Sequence, residues 1–394
     1  MSKVPAGILE GEPLPEDGKE HQKMAKSIRL YILFSCTFIN CIPYVTRPIK
    51  VYPIRVAIVC DADSVVVSGT KNGLAIENYI FTRNSTFPVY VQAKNGIVTV
   101  NQRPYRGNLE IKKIGEKIWV INVVDIEEYL KGVVPWEIGK INRNLIEAAK
   151  AQAVAARTYT FAHLNRYEEL GFDLYATAKD QVYAGTLAED KLINEAIMKT
   201  RGIILTYEGR PIEAKYHSTC GGNTADFSDV WPGNPPPYLR SVVCGFCNES
   251  PHFRWKLEIT KGEFFNRLRR NLSRINITIP EGEMIRQIAF IRNPKSKRII
   301  EAKIITTDRE YKIPSYHLRQ TFGSEEDPDG MLKSTYFTMS AKGDTIIIEG
   351  RGYGHGVGMC QSGAIGMAKR GKNYKEILRH YYPKTRLTLF RYSK

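Results

Sequence analysis

The stretch 129–157, Y-L-K-G-V-V-P-W-E-I-G-K-I-N-R-N-L-I-E-A-A-K-A-Q-A-V-A-A-R, constrains the fold of this chain more than any other. An apolar segment is interrupted by Pro135, presents a carboxylate at Glu137 between Trp136 and Ile138, and then enters an alanine-rich run. Leu145, Ala148, Ala149, Gln152, Ala155, Ala156 and Tyr159 recur at helical spacing, which predicts a helix capped by Asn142 or Asn144 and reaching about Leu170. Its small side chains allow close packing. Glu137 then stands just ahead of that helix, either as a surface glutamate or as the working acid of an enzyme, and the stretch alone leaves both open.

The remaining elements divide the chain. Residues 54–124 alternate short β-branched runs (54–59, 64–68, 86–92, 96–100, 109–113, 117–124) with hairpin-like turns at Lys71-Asn72-Gly73 and Lys94-Asn95-Gly96. Helical signals take over at Asp125, with Ile126, Tyr129 and Leu130 on one face. A helix at 189–200 stopped by Gly202, strands at 203–207 and 212–217, and a Gly- and Pro-rich loop at 221–237 follow. The pattern continues with a basic helix at 261–273, β hairpins at 284–311, a strand at 344–349 and a closing helix at 374–382. The expectation is an α+β fold. A β-rich N-terminal part (54–124) precedes a mixed helix and strand core (125–259), an inserted helix and hairpin arm (260–343), and a glycine-run strand with a C-terminal helix (344–394) that completes the core around a glycine-rich cleft.

Residues 1–53 read as leader and tether. Lys26 and Arg29 precede an apolar run at 30–39, the layout of an export signal and short for a membrane span. Met24 is then a candidate start, and Cys41 a candidate lipidation site, with an uncleaved amphipathic anchor as the alternative; three prolines at 45–53 suit a tether. The predicted location is the cell envelope. The formal net charge of +16 calls for an anionic partner. The basic residues are dispersed, without zinc-finger, recognition-helix or aromatic-basic signatures, so nucleic acid is not the expected one.

Three constellations carry chemistry. Gly350, Gly352, Gly354, Gly356 and Gly358 alternate strictly, which in an extended segment gives one bare face, with Arg351, Tyr353, His355 and Val357 on the other. The run lacks both dinucleotide spacing and a G-K-S/T ending, so it is not a phosphate cradle. His217-x-x-Cys220 and Cys244-x-x-Cys247 form a four-ligand set for structural zinc, or else Cys220 pairs with Cys247 or Cys244 in a disulfide. Of seven cysteines, five remain once Cys36 is removed and Cys41 lipidated, an odd number that forbids complete pairing. Glu137 is a single carboxylate, whereas glycoside hydrolysis normally uses two. Glu127, Glu128, Glu147 and Asp229 are partners only by elimination. One carboxylate suffices when the sugar's own hydroxyl is the nucleophile. Trp136 and Ile138 are the apolar neighbours expected to raise the Glu137 pKa, and Arg157, His217 and His355 the groups expected to position an acidic glycan or stabilise charge.

Y-R-G-N-L-E at 105–110, I-E-E-Y-L-K-G-V-V-P-W-E at 126–137, K-A-Q-A-V-A-A-R-T-Y at 150–159, Y-H-S-T-C-G-G at 216–222 and G-Y-G-H-G-V-G-M-C-Q-S-G-A at 352–364 resemble the stage II sporulation protein D family. So do V-W to P-Y-L-R-S-V at 230–242, S-P-H-F-R-W at 250–255 and L-K-S-T-Y-F at 332–337. The resemblance implies a peptidoglycan lytic transglycosylase acting on peptide-stripped glycan strands beside a cell-wall amidase, with no cofactor required. It puts Glu137, Arg157, Tyr216, His217 and His355 in catalytic positions. Trp136, Lys150, Gln152, Tyr353 and Gln361, within the same motifs, are the candidate substrate contacts. Some relatives are amidase enhancers, which is the non-catalytic alternative, and a zinc-dependent cell-wall hydrolase is the third. The chain departs from the family at Asp180, where many members have cysteine, so a metal site using that position is not expected. Many members also have serine at positions 220 and 360 and tyrosine at 362, where this chain has Cys220, Cys360 and Ser362. This cysteine pattern resembles members outside spore formers, so a sporulation role does not follow.

Overall fold

The computed structural model describes residues 52–323 and 330–390. The predicted leader, the Met24 start, Cys36 and Cys41 lie outside the described residues. Among the described residues no helix is long and apolar enough to cross a membrane.

Eight strands open the described residues: β1 (Pro53–Ala62), β2 (Ser64–Lys71), β3 (Leu74–Thr82), β4 (Val89–Val91), β5 (Ile97–Val100), β6 (Arg103–Arg106), β7 (Asn108–Ile114) and β8 (Lys117–Asp125). With β9 (Leu174–Tyr175) they form two sheets, ordered β4-β7-β8-β1-β9 and β3-β2-β5-β6. The apolar run of β8 is covered on both faces and lies inside its sheet, as a continuous hydrophobic strand should. Both expected hairpin turns have Asn and Gly at positive φ, the geometry that matches strand twist. Strands β3 and β6 lie outside the β-branched runs of the sequence. Both are edge strands; β3 is largely exposed and β6 contains Pro104, so neither carries a buried alternating face.

Asp125 caps α1 (Ile126–Ile138), accepting the Glu127 N–H, with Glu127 and Glu128 at the positive end of the helix. Contrary to expectation, α1 runs through Pro135 and ends at Gly139, so Glu137 sits in its last turn and not in a loop. Next comes α2 (Ile146–Ala162). Ala148, Ala149, Ala151, Ala153, Ala155 and Ala156 are all fully buried, because α1 and α3 (Lys191–Lys199), strands β10 (Ile203–Tyr207) and β11 (Arg210–Pro211), and the C-terminal helices enclose it. A helix whose alanines are buried on every side belongs in the middle of a core, and its buried Arg157 needs a partner there. It stops eight residues short of Leu170, since Asn165 takes positive φ and only a single 3-10 turn follows at Glu168–Leu170.

Of the strand expected at 212–217, only β12 (Tyr216–His217) forms; the Ile212 N–H turns back to the Leu205 carbonyl instead. A second core is built by β13 (Trp255–Thr260), α4 (Lys261–Ser273), β14 (Ile285–Arg292), β15 (Ile299–Thr306), β16 (Glu310–Pro314), α5 (Ser315–Thr321), β17 (Phe337–Lys342) and β18 (Thr345–Gly350). Phe264, Leu268, Ile304, Leu318, Phe337 and Ile348 are buried there. The pairing of β13 with β18 closes this unit, so 255–260 and 345–350 pack with the arm. The chain then returns to the first core through β19 (Met359–Cys360), α6 (Gln361–Lys369), α7 (Tyr374–Tyr381) and β20 (Arg386–Leu389), which pairs with β10.

Candidate active site around Glu137

Glu137 projects from the last turn of α1 toward the start of α6. Gln361 Nε2 reaches Glu137 Oε2 at 3.3 Å and Gln152 Oε1 at 3.4 Å, so one amide ties α1, α2 and α6 together. The Tyr216 side chain is a second hydrogen-bond partner of Glu137, and the Val182 N–H a third. Gln181 Nε2 donates to the Tyr216 hydroxyl at 2.8 Å, leaving its proton for the carboxylate. Gln181 Oε1 in turn accepts from Thr160 at 2.9 Å and from Tyr129 at 3.3 Å. The result is a directed polar chain through the core that ends on one carboxylate, an arrangement that fixes side-chain orientation.

Burial raises the Glu137 pKa, and the bonds from Gln361, Tyr216 and Val182 pull it back only in part. Of the two apolar neighbours expected to shield it, Trp136 is 63% exposed, while Ile138 is buried. The carboxyl is therefore held protonated to higher pH than an ordinary glutamate.

The glycine run is not the extended strand that the alternation suggested. Gly352, Gly354, Gly356 and Gly358 all have positive φ. The run winds against residues 215–220: Tyr353 and Thr219 exchange backbone hydrogen bonds at 2.7 and 3.0 Å, and the Met359 N–H donates to Lys215 O. At Gly358 any Cβ would overlap the Lys215 carbonyl, so both conformation and space demand glycine. Two short strands, β12 and β19, pair in parallel at the end of this path and set Tyr216 beside Met359 and His217 beside Cys360.

Both histidines are neutral. His355 Nδ1 accepts the Val357 N–H at 3.1 Å, which leaves Nε2 to donate to the Tyr216 carbonyl at 2.9 Å. His355 thus clamps the glycine run to β12, its ring tilted against Trp231 with centroids 5.1 Å apart, and burial drives its pKa well below the usual value. His217 is buried with Nδ1 3.2 Å from Val357 O and no partner at Nε2; burial and the nearby Arg298 push its pKa down to about 3. Neither ring offers positive charge to a glycan at neutral pH.

Arg157 is not in the cleft either. It is fully buried, and its guanidinium is engaged by both oxygens of Glu127 at 2.8 and 2.6 Å and by the Ile203 and Ile197 carbonyls. This corrects both the expected glycan contact at Arg157 and the candidacy of Glu127 as a second acid. The other candidates also have fixed partners. Glu128 pairs with Arg106 and Lys131, Glu147 with Lys150 and the Tyr374 N–H, and Asp229 accepts from Asn293 and the Asp226 N–H. Lys150 is accordingly held by Glu147, and Tyr353 packs against His252. Among the predicted residues, the structure brings Glu137, Tyr216, Gln361 and Gln152 together and keeps Arg157, Lys150 and Tyr353 out of that network. Gln181, Tyr129 and Thr160 were missed as members; the Q-V-Y motif at 181–183 was the available signal.

The four-ligand set also changes. Cys220, Cys244, Cys247 and Cys360 are buried with their sulfurs within 4.8 Å of one another, so Cys360 and not His217 is the fourth member. None of the described cysteines is joined in a disulfide; the sulfurs of Cys220 and Cys247 are 3.4 Å apart. Cys60 lies apart, near Trp119 and Phe172.

Residues 115–207 match a family model described as stage II sporulation protein, and residues 244–358 match one described as a domain of unknown function. The second match covers the unit with the separate core. The chain is 35% identical over 330 residues to an uncharacterized protein of Brachyspira hyodysenteriae, covering 81% of this chain and 83% of that one. It is 32% identical over 280 residues to stage II sporulation protein D of Bacillus subtilis, covering 67% and 75% of the two chains. Similarity to the amidase enhancer of Bacillus subtilis is 29% over 305 residues, 66% of this chain but only 40% of that one.

Proposed function

We propose that this chain, which belongs to the stage II sporulation protein D family, is a cell-wall enzyme of the envelope: a lytic transglycosylase that cleaves peptide-stripped peptidoglycan strands. The observation that carries the reading is the lone, partly shielded Glu137, its pKa raised by burial, with every other candidate carboxylate tied to a partner elsewhere. Protonated Glu137 gives its proton to the glycosidic oxygen as the bond from C1 breaks. The muramic C6 hydroxyl then attacks C1, and its proton returns to Glu137, so that a 1,6-anhydro end forms without water and the acid is regenerated. Tyr216 and Gln361 hold the carboxyl in place through both states. Trp136, exposed at the rim, offers a flat apolar face for a sugar ring. The net charge of +16 suits an acidic wall polymer.

The test is glycan cleavage by Glu137→Gln on peptide-free strands, read by mass analysis of the ends. Loss of about 10²–10⁴-fold in the release of anhydro ends is expected; release at the wild-type rate rules the assignment out. The similarity to an amidase enhancer favours one other reading, in which the protein binds and stimulates a wall amidase. Stimulation of such an amidase by wild-type protein that yields no anhydro ends would select it.

A further inference from the structure

We propose that Cys220, Cys244, Cys247 and Cys360 bind one zinc ion as a tetrathiolate clasp between the glycine run and the Gly- and Pro-rich loop. The site is distinct from Glu137, and the inference does not rest on the glycosidic reading.

Four observations converge. All four sulfurs lie within 4.8 Å of one another. A tetrahedral ion with zinc–sulfur bonds near 2.3 Å needs sulfurs about 3.8 Å apart, so the cluster fits after shifts of about 1 Å or less, the 3.4 Å Cys220–Cys247 pair opening slightly and the wider pairs closing. The ligands come from separate places in the fold: Cys220 just after β12, Cys244 and Cys247 from a C-x-x-C turn, and Cys360 at the cap of α6.

The sulfurs are also held by donors. Cys360 Sγ accepts the Cys220 and Gly363 N–H groups, both at 3.2 Å, and Cys220 Sγ accepts the Gly222 N–H at 3.4 Å. The Tyr381 hydroxyl lies 3.1 Å from Cys244 Sγ. Hydrogen bonds of this kind orient metal thiolates.

The fourth observation is a buried cation. Arg298 is fully buried, donates Nη2 to the Cys220 carbonyl at 2.9 Å, and has no partner at Nε or Nη1. A guanidinium taken out of water needs an opposing charge. Zinc with four thiolates is dianionic and supplies it at the adjoining site. A single Cys220–Cys247 disulfide would leave two buried thiols and only the Asp229 carboxylate acting on Arg298. Zinc is also redox-inert, so the clasp persists where bare thiols oxidise.

The clasp bears on the cleft through the chain. Cys360 directly precedes Gln361, the amide that holds Glu137, and Cys220 lies three residues beyond His217 on the strand that carries Tyr216.

The experiment is metal analysis of the full chain purified without a histidine tag, with thiol titration and cobalt replacement. One zinc per chain, intense visible bands of a tetrahedral thiolate site on cobalt loading, and loss of zinc in Cys244→Ser and Cys247→Ser are expected. Thiols that react only after chelator and denaturant complete the expectation. Metal-free wild-type protein, whether reduced or with thiols lost to a disulfide, overturns the proposal, and so does iron in place of zinc. Wild-type metal content decides the matter even where the serine variants fail to fold. Because none of these readouts measures glycan cleavage, failure of the clasp and failure of the enzymatic reading are separable.

Discussion

Arg157→Met separates a buried structural arginine from a cleft arginine. The wild-type guanidinium makes two charge-assisted bonds to Glu127, at 2.8 and 2.6 Å, and caps the Ile203 carbonyl at 3.1 Å. Both side chains have zero exposure. Methionine keeps most of the apolar stem, so the cavity term is small. What remains is a buried Glu127 carboxylate whose surviving contact is the Gly202 N–H at 3.1 Å. Removing one member of a buried pair costs about 3–5 kcal/mol. At roughly 2–4 °C per kcal/mol for a domain of this size, the melting temperature should fall by about 6–20 °C. Thermal and denaturant unfolding of the single variant and of Arg157→Met with Glu127→Leu is the assay. The double variant should recover much of the loss, because no uncompensated charge is left inside. If Arg157→Met unfolds within about 1 kcal/mol of the wild type yet no longer cleaves glycan, the arginine works on substrate and the placement argued above is wrong.

Two further outcomes follow from the cleft. Gly358→Ala places a Cβ against the Lys215 carbonyl at a positive φ, so a loss of about 3 kcal/mol or more is expected in denaturant unfolding; a variant as stable as the wild type would contradict the described path of the glycine run. Glu137→Gln should be more stable than the wild type at neutral pH. The folded pKa of Glu137 is raised, so the folded state holds a proton that the unfolded state gives up, and its stability falls as pH rises from the ordinary glutamate range through the folded value. Unfolding of both proteins across acid to neutral pH should show the advantage of the variant growing with pH and vanishing in acid; a pH-independent difference would mean that the carboxyl is not shielded.

The sequence alone determined what is local. Helix α4 falls at 261–273 as its pattern indicated, both Asn-Gly turns form, and the alanine run is the buried helix α2, because periodicity and turn chemistry report on neighbours a few residues apart. The motifs also picked out Glu137, Tyr216, Gln152 and Gln361, which do meet. Only the tertiary structure decided with whom each residue pairs. Arg157 finds Glu127 across 30 positions, Cys220 meets Cys360 across 140, and Gln361 reaches Glu137 across 224. Alternation made the glycines look like a strand; their positive φ values answer to a backbone at 215–220 that passes too close for side chains. Spacing can nominate polar residues for a site, but burial among distant partners fixes which of them carry charge, which are neutral, and which are only holding the core together.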